Sequence, residues 1–383
     1  MPTSRILITC PKRMTSYLKA ELIELGFSII GESFAGVSIE GTFADTLRLN
    51  LHLRTAHRVL YSLKDFRAVT PADLYYHTSR IPWETIVPDD GYVSVVSAVE
   101  TPSINNTQFA NVKCKDAIVD RIRTKTNKRP DSGSDTDRTV VFLYWKGNDC
   151  CIYLDTSGDS LSKRGYRKLP HAAPMRETLA AATIMATRWD RKSNFVNPMC
   201  GSGTLAIEAA LIATNRAPGL LRENFGFMHV QEYNPAVWQS LIKSATSAII
   251  PFNGRIIATD HDAKAIYAIR ENARLAGVDR LIEIDCCDFR DTTVPAGGGV
   301  VMLNPEYGER LGDIEHLETV YKEIGDFFKK KCSGYYGYIF TGNMDLGKGV
   351  GLRAKRRVEF FNADIDCRLF EFELYTGSKE AKE

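Results

Sequence analysis

Paired cysteines, long apolar runs and a dominant charge are what this 383-residue chain has little of. Its nine cysteines are scattered, with two adjacent pairs (Cys150-Cys151 and Cys286-Cys287) and no C-x-x-C spacing. That argues against a structural zinc site or a disulfide framework, and for a reducing compartment. No apolar stretch approaches the roughly 18 residues needed to span a bilayer, and the first residues run straight into a strand-like segment without a signal-peptide core. The expectation is a cytoplasmic protein, a monomer, with no membrane partner and no metal. Net charge is only +2, so any nucleic-acid binding has to come from local patches. What is present is ordinary for a soluble globular protein, 44% hydrophobic and 25% charged, at a length that accommodates two or three domains.

The order of patterns divides the chain. Ile6–Cys10 reads as a buried strand. Lys12–Leu25 carries Leu18, Leu22 and Leu25 at helical spacing and stops at Gly26; Val37–Ile39 and Phe43–Leu53 repeat the pair. This β-α-β-α order predicts a small ferredoxin-like unit over 1–55. Residues 56–155 are mixed. Val93–Val99 alternates like a half-buried strand, Phe109–Thr126 reads as a helix with a basic face, and Val140–Trp145 with Cys151–Leu154 forms a hairpin around Lys146-Gly147-Asn148-Asp149. Residues 156–170 are polar and rich in turn formers, hence a linker. From 171 to 383 strands and helices alternate, which predicts an α/β domain with a doubly wound, mostly parallel sheet. An insertion over Thr214–Gly254, with Phe225, Phe227 and Trp238, is long enough for a lid or an extra helical layer, its aromatics packing residues.

Chemistry-bearing residues concentrate at expected strand ends. Asn304-Pro305-Glu306-Tyr307-Gly308 follows the apolar run Val300–Leu303, and ligands of open parallel sheets bind at the carboxyl ends of strands. The Asn304 side-chain carbonyl and the Pro305 backbone carbonyl can accept both hydrogens of an exocyclic amino group, and the Tyr307 ring can lie against a flat base. These groups suit methylation of an amino nitrogen. Phe195–Thr204 reads as strand, glycine turn and helix start, where Gly201 and Gly203 let a ligand approach backbone and the positive helix end. Two glycines are neither the full G-x-G-x-x-G nor a Walker A sequence, which favours an adenosyl ligand smaller than a dinucleotide. Asp260, ending the next strand, can accept from both hydroxyls of a ribose; Asp262 reads as a helix cap. Asp288 can accept from an adenine amino group, with Phe289 packed nearby. Basic residues cluster at Lys113, Lys115, Arg121, Arg123, Lys125, Lys128 and Arg129, and again at Lys163, Arg164, Arg167 and Lys168; such patches suit phosphate contacts.

Residues 197–210 (Asn-Pro-Met-Cys-Gly-Ser-Gly-Thr-Leu-Ala-Ile-Glu-Ala-Ala) and 304–311 (Asn-Pro-Glu-Tyr-Gly-Glu-Arg-Leu) together resemble the THUMP-domain RNA guanine-N2 methyltransferases. So do residues 154–167 and 53–60, and the resemblance spans nearly the whole chain. It is nearest to the bacterial enzymes acting on 23S ribosomal RNA, in an unfused form. The resemblance implies S-adenosylmethionine as donor, held by Asn197, Met199, Cys200, Gly201, Gly203 and Thr204, by Asp260 at the ribose, by Asp288 at the adenine with Phe289 nearby, and by His261 and Asn304. It implies 56–155 as a THUMP RNA-binding domain and catalysis by Asn304, Pro305 and Tyr307 on a guanosine of RNA, 23S rRNA before tRNA. It also places Arg176–Leu179 beside the donor's methionine end. One departure stands out: the family's usual Asn-Pro-Pro-Tyr has Glu306 for its second proline here. Rival readings are a DNA or protein amino methyltransferase, a nicotinamide-dependent oxidoreductase, and a non-catalytic RNA-binding assembly factor.

Overall fold

Alternating apolar residues in the first half of the chain and near-continuous apolar runs in the second build two separate sheets. The computed structural model describes residues 1–169, 175–307 and 314–375. Outside the described residues lie Pro170 of the expected linker, 308–311 of the second motif and the charged tail. The contacts divide the chain into two units.

The first unit comprises Met1–Cys10, Leu18–Leu161 and Pro218–Thr246. Its strands are β1 (Ser4–Thr9), β2 (Ile29–Ser33), β3 (Gly36–Gly41), β4 (Arg58–Arg67), β5 (Tyr92–Glu100), β6 (Asp131–Gly133), β7 (Thr139–Lys146) and β8 (Asp149–Asp155). They form one sheet in the order β2-β3-β1-β4-β8-β7-β5-β6. Two helices start in capping boxes. Thr42 and Asp45 exchange backbone and side-chain hydrogen bonds before the helix Phe43–His52; Thr70 and Asp73 do the same before Pro71–Thr78. Each box satisfies donors that the first helical turn leaves open, and Pro71 occupies the position where a missing N–H costs nothing.

The ferredoxin-like expectation for the opening residues is met, with one strand more: β2 forms a hairpin with β3 at the sheet edge. Ten-residue β4 pairs with β1 over Arg58–Tyr61 and with β8 from Leu60 to Arg67. Its two free edges therefore carry one backbone ladder from the ferredoxin-like part into the mixed region. The expected hairpin is β7–β8, closed by Gly147 at φ +57. Pro218–Thr246, the middle of the insertion, packs within this unit, and its two ends belong to the second. Phe225, Phe227 and Trp238 are buried with ring centroids 5.0–5.4 Å apart, and the Phe227 N–H donates to the Thr156 carbonyl at 2.9 Å. Gly226 lies so close to the chain that an added Cβ would be 2.3 Å from the Asp155 carbonyl oxygen. The Arg222 guanidinium donates to the carbonyls of Ser157, Asp159 and Ser160.

The second unit comprises Pro11–Tyr17, Ser162–Ala217 and Ser247–Glu383. Its strands are β9 (Asn194–Pro198), β10 (Ile256–Asp260), β11 (Ile282–Cys286), β12 (Gly299–Leu303), β13 (Tyr335–Thr341), β14 (Arg356–Asn362) and β15 (Ile365–Glu373), ordered β11-β10-β9-β12-β13-β15-β14. The first five are parallel, and β15 runs antiparallel to both neighbours. β10 is buried along its whole length and β9 along all but its first residue, as a sheet covered on both faces requires. The strand order reverses between β9 and β12, the switch point at which such sheets bind ligands. The β14–β15 hairpin was not expected: its charged, alternating residues suit an edge, and only pairing with β13 makes it part of the sheet.

Replacing Trp238 by alanine should destabilise the first unit by about 3–5 kcal/mol, the usual cost of deleting a buried tryptophan. Urea denaturation followed by circular dichroism measures it; an unchanged midpoint would mean that the insertion is only draped on the unit.

Candidate active site

Parallel pairing brings the expected strand ends to one edge of the second unit. Thr259 aligns with Pro198, Asp260 with Cys286, and Val301 with Val196. The segments that follow, Met199–Gly203, His261–Asp262, Cys287–Phe289 and Asn304–Tyr307, therefore emerge side by side.

The turn after β9 has three residues at positive φ: Met199 (+55), Gly201 (+55) and Gly203 (+85). A Cβ at Gly203 would lie 2.2 Å from the Ile269 side chain, so only glycine lets the helices Thr204–Ala213 and Ala263–Ala276 pack this closely. A Cβ at Gly201 would meet nothing within 4 Å, so bare backbone faces open space there. The Cys200 N–H donates to the Thr259 carbonyl at 3.0 Å, tying the turn to β10. Asp260 does the same from the other side: one carboxylate oxygen accepts from the Gly201 N–H at 2.9 Å, the other from the Asp262 N–H at 3.0 Å. Each oxygen keeps a lone pair, so a vicinal diol at this edge finds acceptors already aimed. His261 is largely exposed, 3.7 Å from Asp260. Asp262 caps the following helix through the Lys264 N–H at 2.8 Å. Burial, with Asp260 beside it, pushes the Cys200 thiol up, so it stays protonated and is no nucleophile.

Asp288 is gripped by Arg290, whose Nε and Nη2 donate to its two oxygens at 2.8 and 2.9 Å. That fork holds its carboxyl below the usual range. The Phe289 ring is buried edge-on against Phe327 with centroids 6.1 Å apart, so the ring serves the core. Asn197 is also buried: its amide donates to the Met302 carbonyl of β12 at 2.8 Å, while its own oxygen finds no partner among the described residues.

On the acceptor side Asn304 is partly buried, and its Oδ1 also lacks a partner among the described residues. An unsatisfied buried carbonyl costs free energy unless something donates to it. Pro305 is buried, Glu306 exposed, and the Tyr307 hydroxyl accepts from the Asn362 amide at 2.9 Å.

Two of the expected phosphate contacts are not surface groups. Arg164 is 1% exposed and pairs with the fully buried Glu208, 3.4 Å away, which also accepts from the Tyr166 hydroxyl at 3.2 Å. Arg167 pairs with Glu177 at 3.3 Å and donates to Thr204 Oγ1 at 3.0 Å and to the Met175 carbonyl at 2.6 Å. Burial raises the Glu177 carboxyl, with Arg167 opposing. Residues of the expected linker thus form a strap tied through Arg167 to Thr204, at the helix start after the glycine turn; only Lys163 and Lys168 of that cluster are exposed. Glu208 was a missed signal, a lone acid in an otherwise apolar helix needing a cation from elsewhere. In the other cluster Arg121 is forked onto Glu84 at 2.6 and 2.9 Å. Arg123 and Lys128 pair with Asp120 and Asp89, and Lys113 lies over the Tyr75 ring. Lys125 and Arg129 are exposed; Lys115 is partly so.

Comparison with known proteins decides the family. Residues 164–371 match the RMKL-like methyltransferase domain, 5–60 the RlmL ferredoxin-like domain and 69–155 the THUMP domain. The chain belongs to the RMKL-like methyltransferase family. It is 37% identical over 381 residues to the ribosomal RNA large subunit methyltransferase K/L of Syntrophotalea carbinolica, covering 97% of this chain and 53% of that one. The slr0064 protein of Synechocystis is 32% identical over 368 residues, 96% of each chain. The solved structure of SMU.472, complexed with SAH, superposes with a TM-score of 0.88 at 27% identity, over 99% of this chain and 100% of that one. The chain thus spans about half the length of the K/L relatives. Among the described residues no helix is long and apolar enough to cross a membrane.

Replacing Arg164 by alanine removes the cation opposite the buried Glu208, and should cost about 3–5 kcal/mol of stability. Thermal and urea unfolding measure that loss, and a surface-like effect below about 0.5 kcal/mol would contradict the buried pairing.

Proposed function

We propose that the chain transfers a methyl group from S-adenosylmethionine to the exocyclic N2 amine of a guanosine in RNA, with 23S rRNA the substrate. One observation carries the reading: the Asn304 carbonyl at the end of β12, without a partner among the described residues, lies at the same sheet edge as the glycine turn. The open backbone at Gly201 and the aimed Asp260 oxygens suit an adenosyl donor, and SMU.472 was solved with the demethylated donor. The THUMP match and the rRNA methyltransferase names of the relatives support RNA. Guanine N2 follows from the resemblance of the 304–311 motif to the guanine-N2 enzymes.

S-adenosylmethionine, when bound, would supply an electrophilic methyl group: the N–C bond forms as the S–C bond breaks, the neutral thioether leaves, and the surplus amine proton passes to water. The turn at Met199–Gly203 and Asp260 hold it, and Asp288 lies at the next strand end for the adenine. A guanine amine is a weak nucleophile because its lone pair is delocalised into the ring. The Asn304 and Pro305 carbonyls accept its two hydrogens, favour a pyramidal nitrogen and free that lone pair. Tyr307 stacks on the base, which must be unpaired or flipped to reach the edge. Fixing both partners in line is worth up to roughly 7–11 kcal/mol of the barrier.

Asn304→Ala should lower turnover by about 100-fold or more, the scale of losing one aimed polar group, while calorimetry shows donor affinity unchanged. Near-normal transfer of labelled methyl into RNA would reject the role. Mass-spectrometric mapping of rRNA and tRNA from a deletion strain tests the substrate; every N2-methylguanosine of 23S rRNA persisting would refute it. Lys125→Glu with Arg129→Glu should weaken RNA binding and reduce the salt slope of binding by about two. An unchanged slope would remove this helix from the RNA contact.

A further inference from the structure

Glu306 stands where a second proline would stiffen the acceptor loop, so rigidity must come from elsewhere. The Tyr307 side chain shows where. Its hydroxyl accepts from the Asn362 amide at 2.9 Å, and the Cys367 thiol shares a hydrogen bond with it. Its ring lies against Gly342, where a Cβ would sit 3.0 Å from Cδ2 and Cε2. Asn362 is the last residue of β14, which runs parallel to β13 because both are antiparallel to β15. The hairpin tip therefore reaches the same sheet edge as Asn304.

That tip is itself pinned. The Arg13 guanidinium lies 4.9 Å from the centre of the Phe361 ring and bridges Glu359 of β14 (2.7 Å) and Asp366 of β15 (3.2 Å). Arg13 adopts φ +66, uncommon for a residue with a side chain and kept only where surrounding contacts over-determine it. The contacts thus run from Arg13 through the hairpin and Asn362 to Tyr307.

We propose that Asn362 is a positioning residue for methyl transfer: it holds Tyr307 in its stacking pose and supplies by a tertiary hydrogen bond the stiffness that Glu306 does not. This rests on the reading of Asn304–Tyr307 as the amine-binding loop. A local proline and a long-range clamp are alternative ways to restrict the same loop, so each should compensate for loss of the other.

Hydrogen exchange without any ligand tests the clamp apart from the reaction. Asn362→Ala should speed amide exchange at residues 304 to 307, and Glu306→Pro in that background should restore slower exchange at the amides that remain. In RNA methylation Asn362→Ala should lose about five- to tenfold in kcat/KM, the worth of one hydrogen bond, chiefly through KM for RNA, with donor affinity unchanged and Glu306→Pro recovering the loss. Tyr307→Phe should reproduce both effects without adding to them, and carries the test if Asn362→Ala does not fold. Unaltered exchange in these variants, or no recovery by Glu306→Pro, overturns the proposal. Clamped exchange in an enzyme that methylates no RNA would instead sink the functional reading and leave the clamp standing.

Discussion

The site depends on one interrupted ladder. β9 and β12 pair through Val196 and Val301, and then Pro198, with no N–H to donate, cannot carry the pairing on. The Asn197 side-chain amide takes the Met302 carbonyl instead, and the two chains part. Beyond that point β9 becomes the glycine turn and β12 becomes the Asn304 loop. The helices that follow these strands run to opposite sides of the switch point, the place where such sheets bind ligands. The glycine turn and the Asn304 loop are neighbours because a proline and an asparagine end a strand pair there.

Below that gap the second unit contains charge as well as hydrocarbon. Glu208 and Arg164 are both buried, with Tyr166 and the Arg167–Glu177 pair next to them. Such groups are tolerated only when matched, and matching them demands that residues 162–169 lie in one place. Arg167 reaches Thr204 at the first turn of the helix that follows the glycine turn, so the strap and the turn are held as one piece. The insertion behaves differently. Its aromatic cluster belongs to the first unit, where it packs beside the sheet extended from the ferredoxin-like strands through β4.

On the acceptor side stiffness is distributed. A proline restricts its own φ and the residue before it, whatever the rest of the chain does, whereas a tyrosine hydroxyl held from a distant hairpin restricts the loop only when the whole sheet is assembled. In this chain the acceptor loop keeps the first device at Pro305 and lacks it at Glu306. On the clamp proposed above, the loop depends on β14 and β15 through the Asn362–Tyr307 hydrogen bond.

What the sequence by itself determined was whatever depends on local spacing. Short continuous apolar runs marked the parallel strands, period-3.6 patterns marked most helices, and the strand-turn-helix with Gly201 and Gly203 and the Asn304-Pro305 pair marked the two segments that the structure brings to one sheet edge. Only the tertiary structure decided which charges face water. Arg164 and Arg167 read as a phosphate patch because their partners, Glu208 and Glu177, lie 44 and 10 residues away, and burial is not a local property. The same holds for β14–β15 and Asn362: an edge hairpin has weak periodicity, and its hydrogen bond to Tyr307 crosses 55 residues of chain. Short-range steric rules are written in neighbouring residues, while desolvation and long-range pairing exist only once the chain has closed on itself.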